Sequence, residues 1–390
     1  TSLETEHSAL LKAKIASQIA SEGGWLPFSK YMEMALYEPG MGYYSAGAHK
    51  LGAGGDFTTA PELSPLFGAA ICTTLLPVLE ALKEKGLPTQ ILEFGAGTGK
   101  LATSILTRLN DLGFSLDRYD IIEISPDLAQ RQQERVAGTV KELGLNTQSN
   151  WLTTLPENFK GVIIANEVID AIPCDVIIYQ NGFWYCYGVA FENDKLIWKA
   201  GAPVEQALLP ESLLTGNFSQ GYVTELHAPA NAWMRQVAKH LDEGLFLTFD
   251  YGFPESEYYH PQRLEGTLMA HHRHHAIQDP FHLPGLCDLT THVEWSQIAR
   301  SALAENADDV YLTNQAAYLL DAGIGDIALE IGDPSNPETF LPISNSLQKL
   351  LSEAEMGELF KAFAFSKQLE NLLPGHTLED LPGLRGRNRL

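Results

Sequence analysis

The 390-residue chain predicts an α/β fold built on a parallel sheet with crossover helices, on three observations. Strand and helix patterns alternate through its centre. The first of those strands runs into its helix through a glycine-rich turn. The next strand ends in an acidic residue. Strands are predicted near 90–94, 119–124, 161–166 and 244–250, with a weaker candidate near 147–152. Helices are predicted near 98–112 and 126–138, with Ser125-Pro126 as cap and first turn. Such sheets bind ligands beyond the carboxyl ends of their strands. Glu93, Glu123, Asn166-Glu167 and Asp250-Tyr251-Gly252 are all expected at ends of that kind.

The turn is Glu93-Phe94-Gly95-Ala96-Gly97-Thr98-Gly99. It follows Ile91-Leu92 at the end of a buried strand. Leu101, Ile105 and Leu109 then share one helix face. Glycines there let a ligand approach the backbone, and the helix N-terminus presents free N–H groups. Glu93 would repel phosphate and attract an ammonium or sulfonium group, which points to S-adenosylmethionine. Gly97-Thr98-Gly99-Lys100-Leu101-Ala102 also fits the dinucleotide pattern G-x-G-x-x-G/A. Both ligands predict an acid for the ribose hydroxyls. Glu123, 24 residues after Gly99, suits either and does not separate them.

Elsewhere, residues 4–22 read as a helix closed by Gly23-Gly24, with Leu10, Leu11, Ile15 and Ile19 on one face. A second helix is expected from Pro27 to about Tyr37. Residues 45–62 form a polar, glycine-rich loop, long for a connector. Ser64 and Pro65 open a helix over 65–85. Val176-Ile177-Ile178-Tyr179 and Phe183-Trp184-Tyr185-Cys186-Tyr187 predict a hairpin around Asn181-Gly182. Residues 253–290 are irregular and rich in His and Pro. A helix over 293–303 is expected next. Strands at 309–313 and 360–366 and helices over 314–331 and 343–357 follow. The terminal Leu384-Arg385-Gly386-Arg387-Asn388-Arg389-Leu390 is basic and expected to be mobile. The predicted organisation is a helical region over 1–85, a core over 86–175 and 240–370, an insertion over 176–239 and a basic tail over 371–390.

Composition is that of a globular protein, with 45% hydrophobic and 19% charged residues. No stretch of 18 uncharged apolar residues occurs, which argues against a membrane span; 161–179 reads as the richest run. The acidic start resembles neither a signal nor a transit peptide. Cys72, Cys174, Cys186 and Cys287 form no C-x-x-C pair and read as reduced thiols of a cytoplasmic protein. The net charge of −23 argues against nucleic acid and is compatible with a basic protein partner. The run His271-His272-Arg273-His274-His275 lacks further ligands at zinc spacing, apart from His282, and no metal is expected.

Seven ordered blocks together resemble one family. They are Glu38-Pro39-Gly40-Met41-Gly42-Tyr43-Tyr44, then Gly55-Asp56-Phe57-Thr58-Thr59-Ala60-Pro61-Glu62-Leu63-Ser64-Pro65, and the turn at Glu93 to Gly99. Next are Asn166-Glu167-Val168-Ile169-Asp170-Ala171-Ile172-Pro173, Phe249-Asp250-Tyr251-Gly252 and Gly266-Thr267-Leu268-Met269-Ala270-His271. Asp279-Pro280-Phe281-His282-Leu283-Pro284-Gly285 is the last. The chain is similar to the MidA-like class I methyltransferases, bacterial relatives of a mitochondrial enzyme that assists complex I assembly by dimethylating an arginine of a core subunit. The resemblance implies a seven-stranded sheet whose last strand runs antiparallel, and S-adenosylmethionine as cofactor. It implies bacterial cytoplasmic location and protein arginine methylation, with a complex I-type subunit as one acceptor.

Donor binding is therefore expected at Glu93, Gly95, Gly97, Gly99, Glu123 and Asn166. An arginine acceptor also needs carboxylates to orient the guanidinium and localise its charge. Glu167 and Asp170, three apart, would share a face if a helical turn begins there. Asp56 is the third candidate catalytic residue. A turn-forming role for Asp56 and a capping role for Asp170 compete with catalysis. A non-catalytic assembly protein and a small-molecule methyltransferase stay open as alternatives, as does a homodimer.

Overall fold

The computed structural model describes residues 2–46, 59–353 and 355–390. The chain divides into two compact units. One comprises residues 58–168, 234–252 and 298–390; the other comprises 1–57, 169–233 and 253–297.

The first unit is built on a twisted sheet. Four of its strands are β1 (Gln90–Phe94), β2 (Arg118–Ile122), β3 (Trp151–Leu152) and β4 (Phe159–Asn166). The spatial order runs Asp309–Asn314, Phe360–Lys367, Leu241–Phe253, β4, β1, β2, β3. Neighbours from Leu241–Phe253 to β3 are parallel. Phe360–Lys367 runs antiparallel to both its neighbours. This is the class I methyltransferase arrangement that the resemblance implies.

The sheet's strands are apolar because both faces are covered. The helices Pro65–Glu84 and Lys100–Asp111 bury Leu66, Phe67, Ile71, Leu75, Leu101 and Ile105 in one core with Ile91, Ile121 and Val162. Pro65–Glu84 is long and apolar enough to cross a membrane by length and composition, but 72% of its apolar window is buried inside the protein. It is more apolar than the 161–179 run. It also belongs to the sheet unit, so the first boundary falls near residue 57 rather than 85.

Several predicted elements shift. The helix expected over 314–331 is two helices, Gln315–Asp321 and Ile324–Ile331, because Gly323 takes φ +83° between them. The helix expected over 343–357 lies at Pro337–Leu351, and that expected over 293–303 is Trp295–Ala304. The terminal segment is docked. Leu384 is fully buried, and Asn388 donates to the Val310 carbonyl (3.0 Å) and accepts from the Leu312 N–H (3.1 Å). Arg385 pairs with Asp321 at 3.1 Å and Arg389 with Glu358 at 2.7 Å.

The second unit joins the helices Ser2–Ser21 and Phe28–Tyr37 to two antiparallel sheets. The larger contains the expected hairpin, Asp175–Gln180 with Phe183–Glu192, extended by Lys195–Pro203 and Val223–Leu226. Leu11, Ile15, Ile19, Met32 and Leu36 form its core with Val176 and Val189. Arg273 and His274 form a hairpin turn, with φ of 49° and 67°, between Met269–His272 and His275–Ile277.

One close approach fixes β4 against Leu241–Phe253. Gly161 and Gly244 are paired in register, and a Cβ on Gly244 would overlap the Gly161 carbonyl. Gly244→Ala should therefore destabilise the sheet unit by about 1–3 kcal/mol. Chemical denaturation would show this as a lower midpoint at an unchanged slope, and an unaltered midpoint would refute the argument.

Candidate functional site

The turn after β1 holds three glycines in left-handed conformations: Gly95 (φ 56°), Gly97 (φ 53°) and Gly99 (φ 85°). L side chains adopt these angles at a cost of about 1 kcal/mol or more, which explains the residue type. The Gly95 N–H donates to the Ile122 carbonyl at 3.0 Å, tying the turn to the end of β2. Gly99 caps the helix Lys100–Asp111. A Cβ on Gly95 would lie 3.1 Å from Val168 Cγ2, and one on Gly99 would lie 3.3 Å from Arg135. Among the described residues, a Cβ on Gly97 would meet nothing within 4 Å, so none of them closes the turn above that residue.

Glu93 does not present a bare charge to this opening. It is fully buried in β1 and accepts a 2.6 Å hydrogen bond from the Tyr119 hydroxyl. Burial pushes its pKa up to about 8, against the opposing Tyr119 hydrogen bond, with a smaller push from Glu123. Near neutrality it is largely protonated. Only its ionised form would attract a sulfonium, and the carboxyl braces β1 against β2 through Tyr119.

Glu123 lies just beyond β2 and is half-buried. Its Oε1 accepts from the Ser125 N–H (3.0 Å) and its Oε2 from Gln132 Nε2 (2.9 Å). Burial raises its pKa, and those two bonds oppose the rise. Gln132, on the helix Pro126–Glu142, also donates to the Gly97 carbonyl at 2.8 Å. Its Oε1 accepts from Trp151 Nε1 at 3.0 Å. Sequence reasoning missed Gln132. The available signal was its four-residue spacing from Val136, which puts a polar side chain in that helix's buried stripe. It also missed Glu62, which accepts from the Thr98 hydroxyl and pairs with Lys100 at 2.7 Å at the edge of the turn.

Asn166 ends β4, with its amide 3.4 Å from Glu167 Oε2. Glu167 continues the pairing, its N–H donating to the Phe249 carbonyl at 2.8 Å, but takes φ 52°. No helical face joins Glu167 to Asp170. The chain forms only a 3-10 turn, Ile169–Ala171, after the left-handed residue, and the two carboxylates fall in different compact units. Asp170 is buried, and its carbonyl accepts from the Thr291 N–H at 3.0 Å. It caps no helix. Asp56 lies outside the described residues. Asp250, expected at a strand end, is buried inside Leu241–Phe253. Among the described residues, no group of three His, Cys, Asp or Glu side chains could hold a metal ion. A shallow depression lined by Gly86, Pro88, Asp117, Arg118 and Gln148 lies at the start of β1 and β2, the end away from the turn.

Residues 70–312, more than half the chain, match the family described as "Putative S-adenosyl-L-methionine-dependent methyltransferase". The chain belongs to that methyltransferase family. A crystal structure of a Burkholderia thailandensis protein bound to S-adenosyl-homocysteine is 45% identical. It covers 97% of this chain and 98% of that one, with a TM-score of 0.87. The Danio rerio mitochondrial protein arginine methyltransferase NDUFAF7 is 26% identical over 90% of this chain and 85% of its own length. Its Homo sapiens counterpart is 27% identical over 87% and 80%.

The cofactor of this methyltransferase is S-adenosylmethionine, and the geometry fits it. Among the described residues, the backbone at Gly97 leaves space for the ligand, and Glu123 keeps unused lone pairs that ribose hydroxyls can fill. The cofactor supplies a methyl group already activated by its sulfonium, so this chain's residues have chiefly to bind and orient.

Two outcomes are expected. Gly97→Ala and Gly113→Ala meet no described residue within 4 Å and take similar left-handed angles (φ 53° and 72°), so each should cost about 1 kcal/mol of stability. Only Gly97→Ala should weaken S-adenosyl-homocysteine in titration calorimetry; equal affinity in both variants would displace the ligand from the turn. Glu93, ordinarily titrating at 4.5 and here at about 8, makes the native state hold the extra proton between those values. Stability should therefore fall as pH rises through that window, by up to about 1.4 kcal/mol per pH unit. Glu93→Gln should flatten the slope, as measured by denaturant midpoints across pH 4.5 to 8.

Proposed function

We propose that this methyltransferase modifies arginine side chains of a partner protein, with a respiratory complex subunit as the first acceptor to test. The observation that carries the reading is the extent of the likeness to the relatives named protein arginine methyltransferases. It spans 90% of this chain and 85% of the Danio rerio protein. A likeness that reflected donor binding alone would be confined to the sheet unit; this one also takes in most of the second unit.

An arginine acceptor sets a specific chemical demand. Its guanidinium is protonated at neutral pH and its nitrogen lone pairs are delocalised. A carboxylate must hold the group by paired N–H bonds and draw the positive charge away from the attacking nitrogen. Glu167 is the leading candidate for that carboxylate. It sits half-buried at the end of β4, one residue before the Val168 side chain that packs on Gly95. Asp170 and Asp56 are the further candidates, each to be tested by itself.

Glu167→Gln should leave S-adenosyl-homocysteine affinity within about twofold while lowering methyl transfer by about a hundredfold or more. The acceptor is found by comparing arginine methylation, by mass spectrometry, in cells with and without the gene. Its purified form then serves as substrate for the variant. Identical methylation in both cell lines would sink the arginine reading. Full transfer by Glu167→Gln would remove that residue from the chemistry.

A further inference from the structure

We infer that Gln132 is a positioning residue for the donor: it locks the ribose-binding carboxylate of Glu123 and the glycine turn into one fixed spacing. The inference rests on the established use of S-adenosylmethionine and not on the arginine reading.

The orientation of the Gln132 amide follows from its neighbours. The indole of Trp151 can only donate, so it must face Oε1. That places both amide hydrogens on the other side, where they meet the Gly97 carbonyl at 2.8 Å and Glu123 Oε2 at 2.9 Å. The flipped amide would set its oxygen against two acceptors and its N–H groups against a donor. Burial excludes water from repairing that mismatch, since Gln132 is fully covered. The side chain therefore has one arrangement.

The consequence falls on Glu123. One oxygen is held by the Ser125 N–H and the other by Gln132, which fixes the carboxylate rotamer. Lone pairs remain on both oxygens for the two ribose hydroxyls. The second amide hydrogen holds the carbonyl of Gly97, the residue above which none of the described residues closes the turn. One side chain thus sets the distance between the acid that takes the ribose and the backbone that takes the rest of the donor. A carboxylate free to rotate would lose affinity on being ordered by the ligand; here that ordering is already made.

The test is a double-mutant cycle on S-adenosyl-homocysteine binding by titration calorimetry, with folding followed by circular dichroism and melting. Gln132→Leu should weaken binding about tenfold or more, because Glu123 loses a charge-assisted bond. In a Glu123→Ala background, the same substitution should weaken it by several-fold less, because only the bond to the Gly97 carbonyl is left to lose. Loss of equal size in both backgrounds would reveal a general structural role and overturn the inference. Unchanged affinity in Gln132→Leu would do the same. Should Gln132→Leu fail to fold, Trp151→Phe removes the indole that aims the amide. It should weaken binding severalfold where Glu123 is present and less in the Glu123→Ala background, and unaltered affinity with Glu123 present would refute the inference. Wild-type protein that does not bind S-adenosyl-homocysteine would sink the donor assignment itself.

Discussion

The left-handed turn between β1 and its helix is the constraint on which the rest of the site depends. Three alternate glycines reverse the chain within a few residues, and Gly99 starts the next helix. The turn would not hold its place on backbone preference alone. The Gly95 N–H anchors it to β2 and the Gln132 amide anchors its Gly97 carbonyl to the helix that follows β2. Val168 closes its flank from the end of β4. Three strand ends thus meet at one piece of backbone, and the Glu93 and Glu123 carboxyls lie close enough there to interact.

These two carboxyls are not equivalent. Glu93 is buried against Tyr119 and is largely neutral near pH 7, so its contribution is structural until something favours its ionised form. Burial also raises the pKa of Glu123, and the bonds from the Ser125 N–H and Gln132 oppose that rise. A positive donor entering the turn would favour ionisation of both.

The sheet was legible in the sequence because its strands are buried on both faces and read as continuous apolar runs between turn signals. The antiparallel closing pair followed from the family resemblance rather than from periodicity. The site was legible where one residue type answers a backbone demand, as at Gly95, Gly97 and Gly99. It was not legible where polar side chains from separate elements meet. Gln132 reads as one more surface polar residue until Trp151, Gly97 and Glu123 are seen around it. The terminal segment looked like a free basic tail because Leu384 and Asn388 find their partners only after Asp309–Asn314 becomes a sheet edge. The proposed face shared by Glu167 and Asp170 failed for a local reason: spacing of three has meaning only in a helix, and Glu167 is left-handed.

Glu167 shares positive φ with Arg273, His274, Leu283 and Gln368 as well as with short polar residues, and differs from them in lying directly after a parallel strand of the sheet. Asn181, Asn193 and Asp194 lie in hairpin turns, where short polar side chains bond to nearby backbone and tolerate the angle. Glu167 has a longer side chain, is half-buried and ends a parallel strand beside the donor turn. Glycine would hold the same backbone at lower cost, by about 1 kcal/mol or more. The positive φ at the end of β4, beside the turn, is what makes Glu167 the first of the three candidate carboxylates to test.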